Sequence, residues 1–174
     1  WKKFIVHCLN LNICIKMINK IHKYNFLIVG GGLIGSLAGL HLIKKGYKVL
    51  VVDKNIKHSN DQRTLAVNAN SKDFLSSLGL WNKLKNKPQK INKIIIEDTI
   101  NKGPLIFENN KEEMGNVIFN NELLLKATNQ LKAKKSIIEV SDFELSQLIE
   151  NKIIQFKNKK YLFNHIILSV GKKF

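Results

Sequence analysis

Residues 25–54 read NFLIVGGGLIGSLAGLHLIKKGYKVLVVDK, and the order of features within them decides the fold class. Phe26 to Val29 is a short apolar run without polar alternation, the pattern of a strand buried on both faces of a parallel sheet. Gly30, Gly32 and Gly35 follow in G-x-G-x-x-G spacing. In such a turn one glycine permits the tight bend, one lets a pyrophosphate approach the backbone, and one lets helix and strand pack closely. Residues 33–45 predict a helix with Leu33, Leu37, Leu40 and Ile43 on its apolar stripe. Its first N–H groups and positive dipole end would face phosphates. Gly46 ends the helix, residues 48–52 form a second buried strand, and Asp53 follows it. A carboxylate at that spacing can bond both ribose hydroxyls. A glycine-rich turn without a ligand is the competing explanation; the complete strand, helix, strand and acid favour a dinucleotide site.

Working outward, the 174 residues suffice for one domain with a real core. A hydrophobic content of 44% and a mean hydropathy of -0.12 describe a soluble globular chain rather than a disordered one. The formal charge of +16 comes almost wholly from lysine, because Arg63 is the one arginine. The lysines are scattered along the chain. Nucleic-acid binders show a clustered stripe, arginine forks and stacking aromatics instead, so a solvated surface is favoured and no nucleic-acid partner is expected. Attraction to anionic lipid headgroups is a softer alternative.

Residues 1–16, WKKFIVHCLNLNICIK, lack the apolar middle and cleavage site of a signal peptide and are too short to span a bilayer. Met17, shortly before the first strand, is expected to be the start, with 1–16 a non-native or disordered extension. Cys8 and Cys14 both lie in that extension. Without it the chain has no thiol or cysteine metal site, and the cytoplasm is the default compartment.

Beyond Asp53, residues 54–70 form a polar loop carrying Asp61 and Arg63. A lone arginine in a lysine-rich chain invites a geometric reason, since its planar fork binds in a way an ammonium cannot; a surface arginine loosely paired with Asp61 explains it equally well on composition alone. Ser71 is expected to cap a helix over 71–78 with Phe74, Leu75 and Leu78 inward, ended by Gly79. Trp81 is expected in the core. Residues 91–100 and 105–107 read as strands; Glu97 and Asp98 would point to opposite faces and so cannot converge on one atom. A strand at 117–119 and a helix over 121–134 follow, with Asn121 as its N-cap or as a site residue. Residues 137–140 suit a third parallel strand, 152–157 and 161–164 a hairpin, and 166–169 a last buried strand. His165 has no histidine at ligand spacing, so it is expected to be structural, and no metal site is expected.

The glycines extend to Gly39 and Gly46, giving G-x-G-x-x-G-x3-G-x6-G, which resembles FAD-binding flavoproteins. Residues 61–84, DQRTLAVNANSKDFLSSLGLWNKL, resemble the D-x-R-x-x-A-L segment and the following L-G-L-W of class A flavoprotein monooxygenases, nearest to the ubiquinone-biosynthesis hydroxylases. The resemblance continues through INKIIIEDT at 91–99 and MGNVIFNNELLLKA at 114–127. It implies an α/β, Rossmann-like FAD-binding fold with a mostly parallel sheet, interrupted by the start of a substrate-domain β-sheet. The implied division is 17–87 and 117–174 for the two parts of the FAD-binding domain, with 88–116 beginning the substrate sheet. FAD is the implied cofactor, NADH or NADPH the co-substrate, and O2 the oxidant that hydroxylates a polyprenylated phenol. Gly30, Gly32, Gly35 and Asp53 would hold the dinucleotide; Arg63 would lie near the flavin–ribityl end and Asn121 on the cofactor side. The flavin carries such chemistry, so no catalytic side chain is nominated. The substrate implies contact with the inner face of the membrane, or with other ubiquinone-biosynthesis proteins.

One departure stands out. Where the family has alanine-aspartate-glycine, this chain has Ser169, Val170 and Gly171, with valine in place of the acid. The 174 residues are therefore expected to be the N-terminal part of a longer enzyme, inactive or incomplete alone. A nicotinamide-dependent oxidoreductase using the same turn is one rival. A lysine-rich, non-catalytic nucleotide- or nucleic-acid-binding module is another.

Overall fold

In the computed structural model the described residues are 21–56, 62–97, 103–108, 114–140, 153–156 and 159–171. The expectations for residues 1–16, Cys8, Cys14, Met17, Asp61 and Asp98 lie outside them. In chain order the elements are β1 (Ile21–Val29), α1 (Leu33–Lys44), β2 (Val49–Asp53), β3 (Thr64–Val67), α2 (Ala69–Ser77), β4 (Gln89–Ile91), β5 (Lys93–Ile96), β6 (Leu105–Glu108), β7 (Gly115–Phe119), α3 (Asn120–Ala133), β8 (Ile137–Glu139), β9 (Ile153–Phe156) and β10 (Lys159–Leu168). They fall into two compact units, Trp1–Ile56 with Leu131–Phe174, and Lys57–Gln130.

The first unit is α/β and Rossmann-like. Its five strands run in the order β8-β2-β1-β10-β9; the first four are mutually parallel and β9 is antiparallel to β10. The apolar run Val49 to Val52 is fully buried, as a central parallel strand covered on both faces requires. Leu27, Val29, Leu50, Val52, Val140, Tyr161 and Phe163 make one core cluster. Tyr24 packs against it although strict alternation from Leu27 would turn Tyr24 the other way. The N–H groups of Asn25 and Phe26 both donate to the Lys48 carbonyl, at 2.8 and 3.2 Å, at the point where the alternation shifts by one residue.

Three expectations for this unit need correction. The buried side of α1 is Gly35, Ser36, Gly39 and Leu40, while Leu33, Leu37 and Ile43 are half-buried. Small residues face the sheet because the helix lies close: a Cβ on Gly39 would sit 2.9 Å from Val51 Cγ2. The second hairpin strand and the last strand are one ten-residue strand, β10, which pairs with β1 along its length and with β9 only near its start. Its end is also less buried than expected, with Leu168 60% exposed.

In the second unit β3, β7 and β4 form an antiparallel sheet, and β5 and β6 form a separate ribbon. The expected strand over 91–100 is thus broken at Asn92. The first residue of β7 is a glycine, and a Cβ on Gly115 would lie 2.9 Å from the Val67 carbonyl oxygen. Asn68, not Ser71, caps α2: its side chain accepts from the Ser71 N–H at 2.9 Å. Phe74 is exposed while Leu75 and Leu78 are buried, and Gly79 ends the helix at φ +67. Trp81 is half-buried rather than core, with the Lys72 ammonium 5.5 Å from its ring.

Two tyrosines packed at the core of the first unit, the buried Tyr161 and the half-buried Tyr24, set an alkaline limit. Tyr24 and Tyr161 have ring centroids 6.1 Å apart, and His22 stacks on Tyr161 at 5.4 Å. Burial raises both phenols above the ordinary 10.0, and for Tyr161 the neighbouring Tyr24 adds to it. A folded-state pKa above the unfolded one means that the folded chain keeps its proton longer. The stability contribution is therefore complete below the unfolded value and is lost as pH rises through the folded one. Melting temperature should fall above about pH 10, and Tyr161→Phe should make that fall shallower. Parallel alkaline melting curves for the two proteins would remove the assignment.

Candidate cofactor-binding site

Between Val29 and Leu33 the chain must leave the sheet and enter α1 within three residues, all glycine. Gly30 bends at φ +104, where a Cβ would meet the Ser169 carbonyl oxygen at 2.6 Å. Its N–H donates to the Val52 carbonyl at 2.8 Å, tying the turn to β2. Gly31 is buried; its N–H donates to Asp53 Oδ2 at 2.5 Å and its carbonyl accepts from Ser36 Oγ at 2.8 Å. Gly32 is the N-cap of α1, with no side chain to cap the helix and no acid in the first turn. A Cβ on Gly32 would meet nothing within 4 Å, so the backbone is open on that side. Gly35 is the opposite case, because a Cβ there would overlap the Gly30 carbonyl and Ser169 Oγ.

These features fit a dinucleotide. The uncapped first turn of α1 leaves backbone donors for an anion, and the open flank of Gly32 admits one. Asp53, half-buried at the end of β2, also accepts from the Asn55 N–H through Oδ1 at 2.8 Å. Each oxygen of the carboxylate therefore has one backbone donor and keeps capacity for a ribose hydroxyl. The carboxyl ends of the parallel strands, where this turn and Asp53 lie, are the side on which ligands of open α/β sheets bind.

Gly30, Gly32, Gly35 and Asp53 thus come together in the first unit. Arg63 and Asn121 belong to the second. Arg63 is exposed just ahead of β3, and its carbonyl accepts from the Asn120 N–H at 2.9 Å. Asn121 is the second residue of α3 and not its N-cap, since the helix begins one residue earlier than expected. Its neighbour Glu122 binds the chain ahead of β4, accepting from the Lys85 N–H and, at 3.0 Å, from Asn86 Nδ2. Val170 is half-buried against the core cluster. His165 stacks on Phe26 at 5.2 Å. Among the described residues no group of three or more His, Cys, Asp or Glu side chains could hold a metal ion.

Sequence reasoning missed two residues at the turn, Ser36 and Ser169. Ser36 is fully buried behind it, and Ser169 Oγ lies 2.8 Å from the Gly30 carbonyl oxygen and 3.2 Å from that of Val29. A hydroxyl directly after the third glycine, and another closing an otherwise apolar strand, were the available clues.

The sequence model for the FAD binding domain matches residues 23–152. No curated protein sequence matches the chain. Among solved structures, p-nitrophenol 4-monooxygenase PnpA from Pseudomonas putida DLL-E4 superposes with a TM-score of 0.61 at 13% identity, over 89% of this chain and 42% of that one. A geranylgeranyl bacteriochlorophyll reductase-like protein from Thermoplasma acidophilum gives 0.56 at 20% identity, over 85% and 39%. The flavin-dependent monooxygenase PieE, solved with FAD and substrate, gives 0.51 at 15%, over 66% and 23%. At these identities the likeness is one of fold, and the chain spans less than half the length of each.

Proposed function

The chain belongs to the FAD-binding-domain family, and from that premise we propose that it is the cofactor-binding part of an FAD-dependent aromatic-ring hydroxylase acting in ubiquinone biosynthesis. The observation that carries the cofactor assignment is the pairing of an open, uncapped Gly32 with the half-buried Asp53 carboxylate at one end of the sheet. The hydroxylase assignment is supported by the D-x-R-x-x-A motif around Arg63, the L-G-L-W at 78–81, and a fold shared with PnpA and PieE.

In this reading bound FAD supplies the redox chemistry: two electrons from NADH or NADPH let one atom of O2 enter a phenol ring and the other leave as water. The chain's own part is binding and orientation. The Gly32 flank and the first turn of α1 receive the pyrophosphate, and Asp53 receives the adenosine ribose. Arg63 and Asn121 serve the flavin side, Arg63 through a fixed, planar cation suited to an electron-rich partner. A polyprenylated phenol would bring the enzyme to the cytoplasmic face of a membrane as a peripheral visitor. Among the described residues no helix is long and apolar enough to cross one.

Gly32→Ser tests the cofactor site. Serine is a good N-cap and its Cβ meets no protein atom within 4 Å, so the melting temperature should hold or rise. The new side chain occupies the phosphate's approach, and FAD affinity should fall by roughly tenfold or more. Unchanged affinity would place the cofactor elsewhere. For the chemistry, the flavin-loaded 174 residues supplied with 18O2, NADH or NADPH and a prenylated phenol should leave the ring unlabelled by mass spectrometry, whereas the whole enzyme of which they are the cofactor-binding part should yield a ring carrying one labelled oxygen. A reduced but unhydroxylated substrate would point to a different reaction class.

A further inference from the structure

Three successive glycines at 30–32 present a problem that the glycine spacing does not solve. Without side chains, each peptide unit between them can turn either edge outward at little steric cost. One orientation offers an N–H to the pyrophosphate and the other a carbonyl oxygen, which would repel it. Something else must choose.

The two serines make that choice. All peptide bonds here are trans, so the carbonyl and N–H of one unit point in opposite directions. In the unit joining Gly30 to Gly31, the carbonyl faces Ser169 Oγ at 2.8 Å and the N–H meets Asp53 Oδ2 at 2.5 Å. In the unit joining Gly31 to Gly32, the carbonyl is held at 2.8 Å by Ser36 Oγ, from a fully buried side chain. The Gly32 N–H must then point away from Ser36, and Gly32 itself is exposed, with nothing within 4 Å of a Cβ placed there. The absence of a Cβ at Gly35 leaves the room that Ser169 Oγ occupies.

We infer that Ser169 and Ser36 are positioning residues for the dinucleotide, each holding one glycine carbonyl inward. Ser169 acts through a single peptide unit on Asp53 and so on the ribose. Ser36 acts on the Gly32 N–H and so on the pyrophosphate. This rests on the FAD assignment above for its ligand, but not for its geometry.

The test uses the full chain, 15N-labelled, with FAD, ADP and adenosine as probes. Ser169→Ala should move the Gly31 amide proton upfield as its bond to Asp53 loosens, and should weaken FAD, ADP and adenosine alike by about three- to tenfold. Ser36→Ala should weaken FAD and ADP by a similar factor but leave adenosine, which has no phosphate, unchanged. A plain packing role would lower the melting temperature of both variants without this split between ADP and adenosine, and that result overturns the inference. An unmoved Gly31 amide in Ser169→Ala overturns it as well. Failure of the unmodified chain to bind FAD would instead defeat the cofactor assignment, with the amide shift still deciding the serine's role. Should Ser169→Ala not fold, the ADP and adenosine titrations of Ser36→Ala decide alone.

Discussion

Gly35→Ala is expected to destabilise the chain by about 1–3 kcal/mol and to abolish measurable FAD binding. Two effects of opposite sign compete. Alanine is the better helix former, worth at most about 1 kcal/mol inside a helix and less in its first turn. Against that, the added Cβ would overlap the Gly30 carbonyl and Ser169 Oγ, and the first of these is backbone. Relief requires α1 to withdraw from the strands or the turn at Gly30 to change shape. Either movement loosens the Gly31 N–H from Asp53 and the Gly32 flank from its place, so binding should fail even where the fold survives. Thermal melting with and without FAD reads both effects. A melting temperature equal to or above that of the unmodified chain would show that helix and turn are not in the close contact described.

Asp53→Ala should weaken FAD by roughly ten- to a hundredfold, the worth of charge-assisted bonds to a ribose. It should also cost stability without any ligand. Gly31 is buried and its N–H donates to this carboxylate, so removing the acceptor strands a donor at about 1–3 kcal/mol. Asp53→Asn separates the two roles. Its amide oxygen can still accept from Gly31, which should preserve much of the melting temperature, while the lost charge weakens the ribose bonds. FAD titration and melting of both variants provide the check. Undiminished FAD affinity in Asp53→Ala would remove the ribose assignment.

The strand, glycine turn, helix, strand and acid of residues 25–54 were all legible before any coordinates, because each depends on near neighbours. Apolar runs, a positive φ and a helix start are local properties, and so is the placing of Asp53 at the end of β2. The same local logic identified Gly79 as a helix end and residues 137–140 as a strand. It failed where two distant segments had to meet. Ser169 lies 139 residues from Gly30, and nothing near either residue says that β10 will pair beside β1. That adjacency follows from sheet order, which is set by how all the strands share one core. The stripe on α1 was misjudged for a related reason. Leucine spacing measures apolar area, but the sheet approaches so closely that only Gly35, Ser36 and Gly39 fit between, with Leu40 beside them. Tyr24 joined the core because the alternation of β1 shifts by one residue beside the Lys48 carbonyl, just ahead of another strand. Residue type thus set which backbone shapes were possible, whereas packing between remote strands chose which hydroxyl and which carboxylate hold the turn.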